Sequence, residues 1–203
     1  MTFERSRLAS GANRGSFRAG EFPCVTCHTN CCKAYTVFPN VFDIYRIWTK
    51  LKIPPESFLE MIEASNEELG VKLTDGIVDL ALKKKESSEA CLFLIEAGDL
   101  FRCGIHEIKP GVCRAYPFDW RDGKVVQLED KLCPVDWHVD REFEKTIVDL
   151  HRDLADEWEF THSLIAEWNA MSIPSRDFHS YVTYVFRRVR ERERYFVRID
   201  NSS

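Results

Sequence analysis

The chain has 203 residues, which is the length of one or two domains. Hydrophobic residues make up 44% of it and charged residues 30%, which excludes a wholly disordered chain. The formal net charge of −5 disfavours a nucleic-acid binder, and no run approaches the roughly 18 apolar residues that cross a bilayer. The composition therefore predicts a soluble globular protein that acts on neither a membrane nor a nucleic acid.

Residues 1–20 are polar and rich in Gly, Ser, Ala and Arg, and we expect them to form a flexible tail. This segment lacks the roughly 7–15 apolar residues of a secretory signal, which favours a cytoplasmic protein. We expect residues 21–203 to form a single domain. Its cysteine-bearing body would span 21–135, and a helical part at 136–203 would pack on that body.

The cysteine-bearing body contains short segments with the apolar spacing of helices and others with that of strands. The runs VFDIYRIWTKL at 41–51 and PESFLEMIEAS at 55–65 have apolar residues at helical spacing, and both are predicted to be helices. The run GIVDLALKK at 76–84 is predicted to be a strand. Two β-rich pieces within 91–103 flank a Gly-Asp turn, which is typical of a hairpin. KVVQL at 124–128 is predicted to be a further strand.

The C-terminal part predicts two amphipathic helices. The first has apolar residues at steps of three or four positions from Phe143 to Trp158, and Ile165 and Trp168 extend the same face; the residues between are Ile147, Leu150 and Leu154. Pro174 ends this helix, and the same spacing resumes at Phe178 in a final helix. Helices with one apolar face need a surface to cover, so we expect both to pack on the cysteine body.

Cysteine is the most informative residue type in this chain. Four cysteines lie within nine residues, and four are remote: Cys24, Cys27, Cys31 and Cys32, then Cys91, Cys103, Cys113 and Cys133. In a reducing compartment, clustered cysteines indicate metal binding more often than disulfides. Side chains of adjacent residues diverge, so the Cys31-Cys32 pair favours two metal positions. The eight thiolates predict one compact multinuclear centre or two centres, with Cys91 alternatively a small buried hydrophobe.

The spacing of the cysteines bears on which metal they hold. Structural zinc sites usually have two C-x2-C hooks, whereas only Cys24 and Cys27 form one here. A close group of cysteines with remote ligands and a proline after one of them, as at Cys133-Pro134, is typical of iron–sulfur proteins. We therefore predict an iron–sulfur cluster, of the [4Fe–4S] type, with zinc or thiol redox chemistry as the alternatives.

Two residues beside Cys113 are candidates for contacts with the cofactor. Arg114 and Tyr116 could hydrogen-bond to cluster sulfurs and tune the centre, or they could simply pack the loop. His28 and His106 lie between cysteines, and we expect them to be exposed rather than ligands. The arginines of the last helix alternate with glutamates, which favours a solvated face.

The cysteine pattern resembles the YkgJ-type CxxCxxCC cysteine-cluster family, which is described as chelating zinc or iron. The family's first cluster is matched by the segment 24–32, with three residues instead of two before Cys31-Cys32. Its later block is matched by Cys91, by the segment from Cys103 to Cys113-Arg-Ala-Tyr-Pro117, and by Cys133. The resemblance covers roughly residues 22–135 and implies metal binding.

A related cysteine module occurs in flagellin lysine-N-methylases, so the resemblance also implies an S-adenosylmethionine-dependent activity. The sequence has no G-x-G turn after a strand that would support that cofactor.

Taken together, the sequence predicts a helix-rich α+β fold in which short strands and loops surround a polycysteine metal centre under C-terminal helices. The expected function is electron transfer or a cluster-dependent modification such as protein lysine methylation, with a protein substrate or a redox partner. A non-catalytic, zinc-stabilised interaction module is the alternative.

Overall fold

The computed structural model describes residues 31–98, 100–133, 137, 139–173 and 175–200. Cys24, Cys27, His28 and the predicted flexible tail lie outside the described residues. The described elements are the helices α1 (Cys31–Ala34), α2 (Val41–Leu51), α3 (Gly111–Ala115), α4 (Arg141–Ala170) and α5 (Phe178–Asp200), and the strands β1 (Leu59–Glu63), β2 (Val71–Leu73), β3 (Gly76–Leu82), β4 (Leu94–Ala97), β5 (Leu100–Cys103), β6 (Phe118–Arg121) and β7 (Lys124–Gln127). The α+β prediction is confirmed.

The strands form three small antiparallel sheets. The first has the order β1-β3-β2, and the other two are the hairpins β4-β5 and β6-β7. The predicted strands β3 and β7 and the hairpin within 91–103 are confirmed. Strands β2 and β6 were not predicted. In the second hairpin Asp122 and Gly123 both have positive φ, as the turn of a two-residue loop requires.

The predicted helix over 55–65 is wrong. After a single 3-10 turn at Pro55–Ser57, the chain continues as β1, whose residues pair with β3 from Leu59 opposite Leu82 to Glu63 opposite Val78. A short apolar run is compatible with either periodicity, and pairing with a distant strand decides between them. The local pattern could not show that partner.

Helix α2 covers the predicted residues because both of its ends are well defined. Asn40 accepts a hydrogen bond from the Asp43 amide, and the Asp43 side chain accepts one in return from the Asn40 amide. At the other end, Lys52 takes the left-handed conformation and donates to the carbonyl of Trp48. The reciprocal cap places the carboxyl group of Asp43 inside the protein.

The two predicted C-terminal helices are present and cover the rest of the fold. Helix α4 contacts α3, β2 and β6, and α5 packs against α2. The main core lies between these helices and the three-stranded sheet, and it includes Ile47, Leu164 and Val185. Cys91 and Cys103 pack at the edge of this core. No described helix is apolar over a length that could cross a membrane.

The arginines of α5 are only partly solvated. Arg187 pairs with Glu191 along the exposed face, as expected. The Arg190 guanidinium lies over the Trp48 ring at 5.4 Å, and that of Arg192 lies over the Phe160 ring at 4.4 Å. Because cations over aromatic faces stabilise helix packing, these arginines hold α5 on α2 and α4.

Candidate metal centre

Five cysteines from four separate parts of the chain line one cavity of about 660 Å³: Cys31, Cys32, Cys91, Cys103 and Cys113. Its remaining walls are largely apolar and aromatic, with Phe93, Ile105 and Trp158 among them. The fold thus brings together cysteines that lie up to 82 residues apart in the sequence, from Cys31 to Cys113. These five are among the eight cysteines that the sequence predicted as ligands.

The first three thiols are brought together by backbone contacts. Helix α1 presents Cys31 and Cys32, and the segment after it is fixed to the sheet because Leu82 donates its N–H to the Val37 carbonyl at 2.8 Å. The Cys91 amide donates to the Cys32 carbonyl at 2.7 Å. Cys91 also forms an isolated β-bridge with Lys84, so it follows the end of β3 rather than lying in a strand of its own.

The other two thiols come from the hairpin and from α3. Cys103 ends β5 opposite Leu94, and Gly104 extends this pairing by donating to the Phe93 carbonyl at 2.8 Å. The Cys91 and Cys103 sulfurs each accept a backbone N–H from the residue two positions on, Phe93 and Ile105. Hydrogen bonds to sulfur stabilise thiolates and tune metal–thiolate centres.

The thiols of this cavity act on one another electrostatically. Burial raises the pKa of Cys91, and it raises that of Cys103 to about 11. Burial also raises the pKa of Cys113 strongly, and the nearby Cys32, Cys91 and Cys103 raise it further. Deprotonating several thiols here is therefore costly unless a metal cation compensates their charge, as expected of a ligand set whose metal binding releases protons.

A buried cation faces the same thiols. Lys109 is 6% exposed and lines the cavity, and its ammonium group lowers the pKa of Cys103 and of Cys113. Sequence analysis did not include Lys109 among the candidate site residues. The only sequence feature that pointed to Lys109 is its position four residues before Cys113, and this feature is weak evidence for a site residue on its own.

Asp43 fixes the loop that carries Cys113. Its carboxyl group, 1% exposed, accepts hydrogen bonds from the Gly111 amide at 3.1 and 3.2 Å and from Arg46 at 3.0 Å. Gly111 begins α3, and an added Cβ at this position would lie 1.9 Å from Cδ2 of Leu154. Helix α2 therefore anchors the start of α3 through Asp43, and the lack of a Cβ at Gly111 makes room for Leu154 of α4.

Asp43 also predicts a particular pH dependence of stability. Burial, with a smaller contribution from Glu157, raises its pKa from 3.8 to about 6, although Arg46 and the backbone donors act in the opposite direction. The folded state thus binds this proton more tightly than the unfolded state. The contribution of Asp43 to stability is greatest below pH 4, falls by about 3 kcal/mol as the pH rises from 4 to 6, and is constant above that range.

Denaturant unfolding of the wild type and of Asp43→Asn between pH 4 and 7 measures this effect. The asparagine side chain does not titrate, so the difference in unfolding free energy between the two proteins should change between pH 4 and 6. Parallel curves would show that the carboxyl group titrates near its ordinary pKa.

Tyr116 holds the backbone of a further cysteine. Its hydroxyl accepts hydrogen bonds from the amides of Leu132 at 2.6 Å and Cys133 at 3.1 Å, and its ring meets Tyr35 edge-on at 5.5 Å. Burial and the hydrogen bond with Tyr35 raise the pKa of Tyr116 well above its ordinary value. Tyr116 also lines the cavity, so it places Cys133 beside the cavity, whereas Cys133 itself is not among the described lining residues.

Tyr116→Phe tests this role. Removing the hydroxyl should lower the free energy of unfolding by about 1 kcal/mol and increase the alkylation rate of Cys133 in metal-free protein. Tyr184→Phe is the matched control, because the Tyr184 hydroxyl donates to Glu167 at 2.8 Å on the other side of the fold. An equal Cys133 alkylation rate in both variants would exclude the positioning role.

The other predicted site residues are less closely tied to the cavity. Arg114 is half-buried, and its Nε has no hydrogen-bond partner among the described residues. His106, expected to be exposed, is half-buried, and its Nδ1 likewise lacks a described partner. Cys91, Cys103, Cys113 and Cys133 are free thiols. In the described part of the chain, no group of three or more His, Cys, Asp or Glu side chains is already arranged to hold a metal ion.

Comparison with known proteins gives one match. The model of the CxxCxxCC family, described as a "Putative zinc- or iron-chelating domain", matches residues 23–134. This match spans more than half of the chain and all eight cysteines. No curated protein matches the chain, and no solved structure does.

Proposed function

The chain belongs to the CxxCxxCC family of zinc- or iron-chelating domains, and we propose that its cysteines hold an iron–sulfur cluster, of the [4Fe–4S] type. The observation that carries this proposal is the single cavity lined by five cysteines from four separate parts of the chain. Thiolates are the ligands that iron–sulfur clusters use, often as a close group combined with remote residues. The chemistry of the residues present therefore fits the group.

The cavity is large enough for a cluster as well as for one zinc ion. A single zinc ion binds four thiolates at about 2.3 Å, which leaves the sulfurs only about 3.8 Å apart around a filled centre. The observed volume is about 660 Å³, and cavities of roughly 300–1,000 Å³ are the usual size for bound cofactors and small molecules. A polynuclear cluster uses more of this space, because each thiolate ends on a different metal atom.

The electrostatics support a metal–thiolate centre of net negative charge. Cys32, Cys91, Cys103 and Cys113 lie close enough to influence one another, and the buried ammonium group of Lys109 faces two of them. A buried lysine is costly unless an anion compensates its charge. When bound, the cluster supplies one-electron chemistry, while the protein's own residues exclude water and stabilise the charge.

Such a centre serves either electron transfer or a cluster-dependent modification such as protein lysine methylation, in the cytoplasm, with a protein as redox partner or substrate. Arg114 and Tyr116 remain the residues predicted to tune the centre. Tyr116 supports this role by holding the Cys133 amide.

Purification without oxygen tests the proposal. The protein should be brown, absorb broadly at roughly 400 nm, and lose this absorption on reduction. A colourless protein with stoichiometric zinc would contradict it, since zinc is redox-silent. That result would favour the alternative permitted by the family description, a zinc-stabilised interaction module.

A further inference from the structure

We propose that a second cavity, of about 200 Å³, binds a small apolar molecule that carries one protonated amine. This cavity, called here the small cavity, lies between α4, the three-stranded sheet and the segment that leads into α2, with Pro39, Val71 and Ile165 in its walls. None of the described cysteines lines it. Binding there depends neither on a metal nor on the proposed function.

The inner wall of the small cavity is apolar and belongs to the main core. Val41, Ile44, Val71, Leu80 and Ile165 line it, and each is at most 8% exposed. An apolar cavity of about 150 Å³ is large enough to bind benzene. A volume of about 200 Å³ therefore accommodates one aromatic ring with a short side chain.

Tyr181 adds a buried polar group to this lining. Its side chain lines the small cavity and is 1% exposed, and its hydroxyl forms no hydrogen bond with any residue that the structure describes. The ring is held edge-on against Trp168, with 5.5 Å or less between centroids at 5.4 Å. Because a buried hydroxyl without a partner is costly, a ligand that hydrogen-bonds to Tyr181 gains affinity.

Asp79 determines the charge of the ligand. This half-buried residue of β3 lines the small cavity, and its Oδ2 accepts hydrogen bonds from the amide and the hydroxyl of Ser65 at 3.0 and 3.1 Å. Its Oδ1 accepts none from the described residues, and no lysine or arginine is among the described residues of the lining. An ammonium group would supply the missing counter-charge, whereas an anion would face Asp79 without one.

The position of the small cavity gives its ligand a relation to the metal centre. Phe38 and Trp158 line both cavities, so the two share part of a wall. A molecule in the small cavity therefore lies beside the cysteine-lined cavity, where a substrate of a cluster-dependent modification would be placed. That use rests on the proposed function, but the binding itself does not.

Calorimetric titration of the anaerobically purified full chain with phenethylamine tests the proposal. One molecule should bind per chain, and Asp79→Asn should weaken binding by about tenfold or more, since it removes the charge partner. Tyr181→Phe should weaken it by about fivefold through loss of one hydrogen bond. Asp75→Asn is the matched control and should change nothing, because Asp75 is exposed and does not line the cavity.

Two results would overturn the proposal. One is the absence of saturable phenethylamine binding, and the other is equal affinity of Asp79→Asn and the wild type.

A measurement on the wild type removes any dependence on the folding of variants. Phenethylamine should raise the unfolding temperature with increasing concentration, whereas hydrocinnamate, a carboxylate of similar size, should not. Equal stabilisation by both compounds would contradict the proposal. Zinc-loaded protein that binds phenethylamine would contradict only the iron–sulfur function, and iron–sulfur protein that does not bind it would contradict only the present inference.

Discussion

Asp43→Ala should lower the free energy of unfolding by about 2–5 kcal/mol at pH 7, since it removes the acceptor of two buried amides. The amides of Gly111 and Asn40 both donate to this carboxyl group, and the Asp43 side chain is only 1% exposed. The variant should also bind less metal, because Gly111 begins the helix that carries Cys113. Urea unfolding and metal analysis measure the two effects.

Asp149→Ala is a matched control for this variant. Both aspartates pair with an arginine three residues on, Asp43 with Arg46 at 3.0 Å and Asp149 with Arg152 at 2.9 Å. The Asp149 pair is exposed, and exposed pairs of this kind contribute about 0.2–1 kcal/mol. Equal destabilisation by the two variants would mean that the buried contact with Gly111 contributes little.

Gly111→Ala should lower the free energy of unfolding by about 1–3 kcal/mol through overpacking. The added Cβ would lie 1.9 Å from Cδ2 and 3.1 Å from Cγ of Leu154, a buried residue of α4. The clash separates α3 from α4 and moves Cys113, so metal content should fall as well. Denaturant unfolding and metal analysis of the variant test both expectations.

Removing the clashing side chain provides the control. Leu154→Ala alone should cost about 2–5 kcal/mol by opening a cavity. When Gly111→Ala is combined with it, the added methyl group occupies part of that space, so the double variant should be at least as stable as Leu154→Ala. Additive losses would show that Gly111 is required for a reason other than this contact.

Local sequence was sufficient to predict the elements whose determinants are near in the chain. The apolar spacing of residues 41–51 predicts α2, and the Gly-Asp turn predicts the hairpin β4-β5. Of the hairpin β6-β7, only the strand β7 was predicted. The strand β1 could not be predicted, because its conformation depends on pairing with β3 about twenty residues later. Residue type alone predicted the cysteines as ligands.

The parts of the site that sequence reasoning missed depend on approaches between distant elements. Lys109 belongs to the site only because the fold buries it near Cys103 and Cys113. The role of Asp43 at the site depends on Gly111, 68 positions away, which donates its amide N–H to the Asp43 carboxyl group. Likewise, the grouping of the thiols depends on Cys32 meeting Cys91 across an intervening sheet and helix.

Chemical analysis of iron and acid-labile sulfide in anaerobically purified wild type tests the central claim most directly. If the cysteine-lined cavity holds a [4Fe–4S] cluster, each centre should contain roughly four iron and four sulfide per chain, and Cys113→Ser should lose one centre's complement. Zinc without sulfide, or no metal at all in folded protein, would contradict the account.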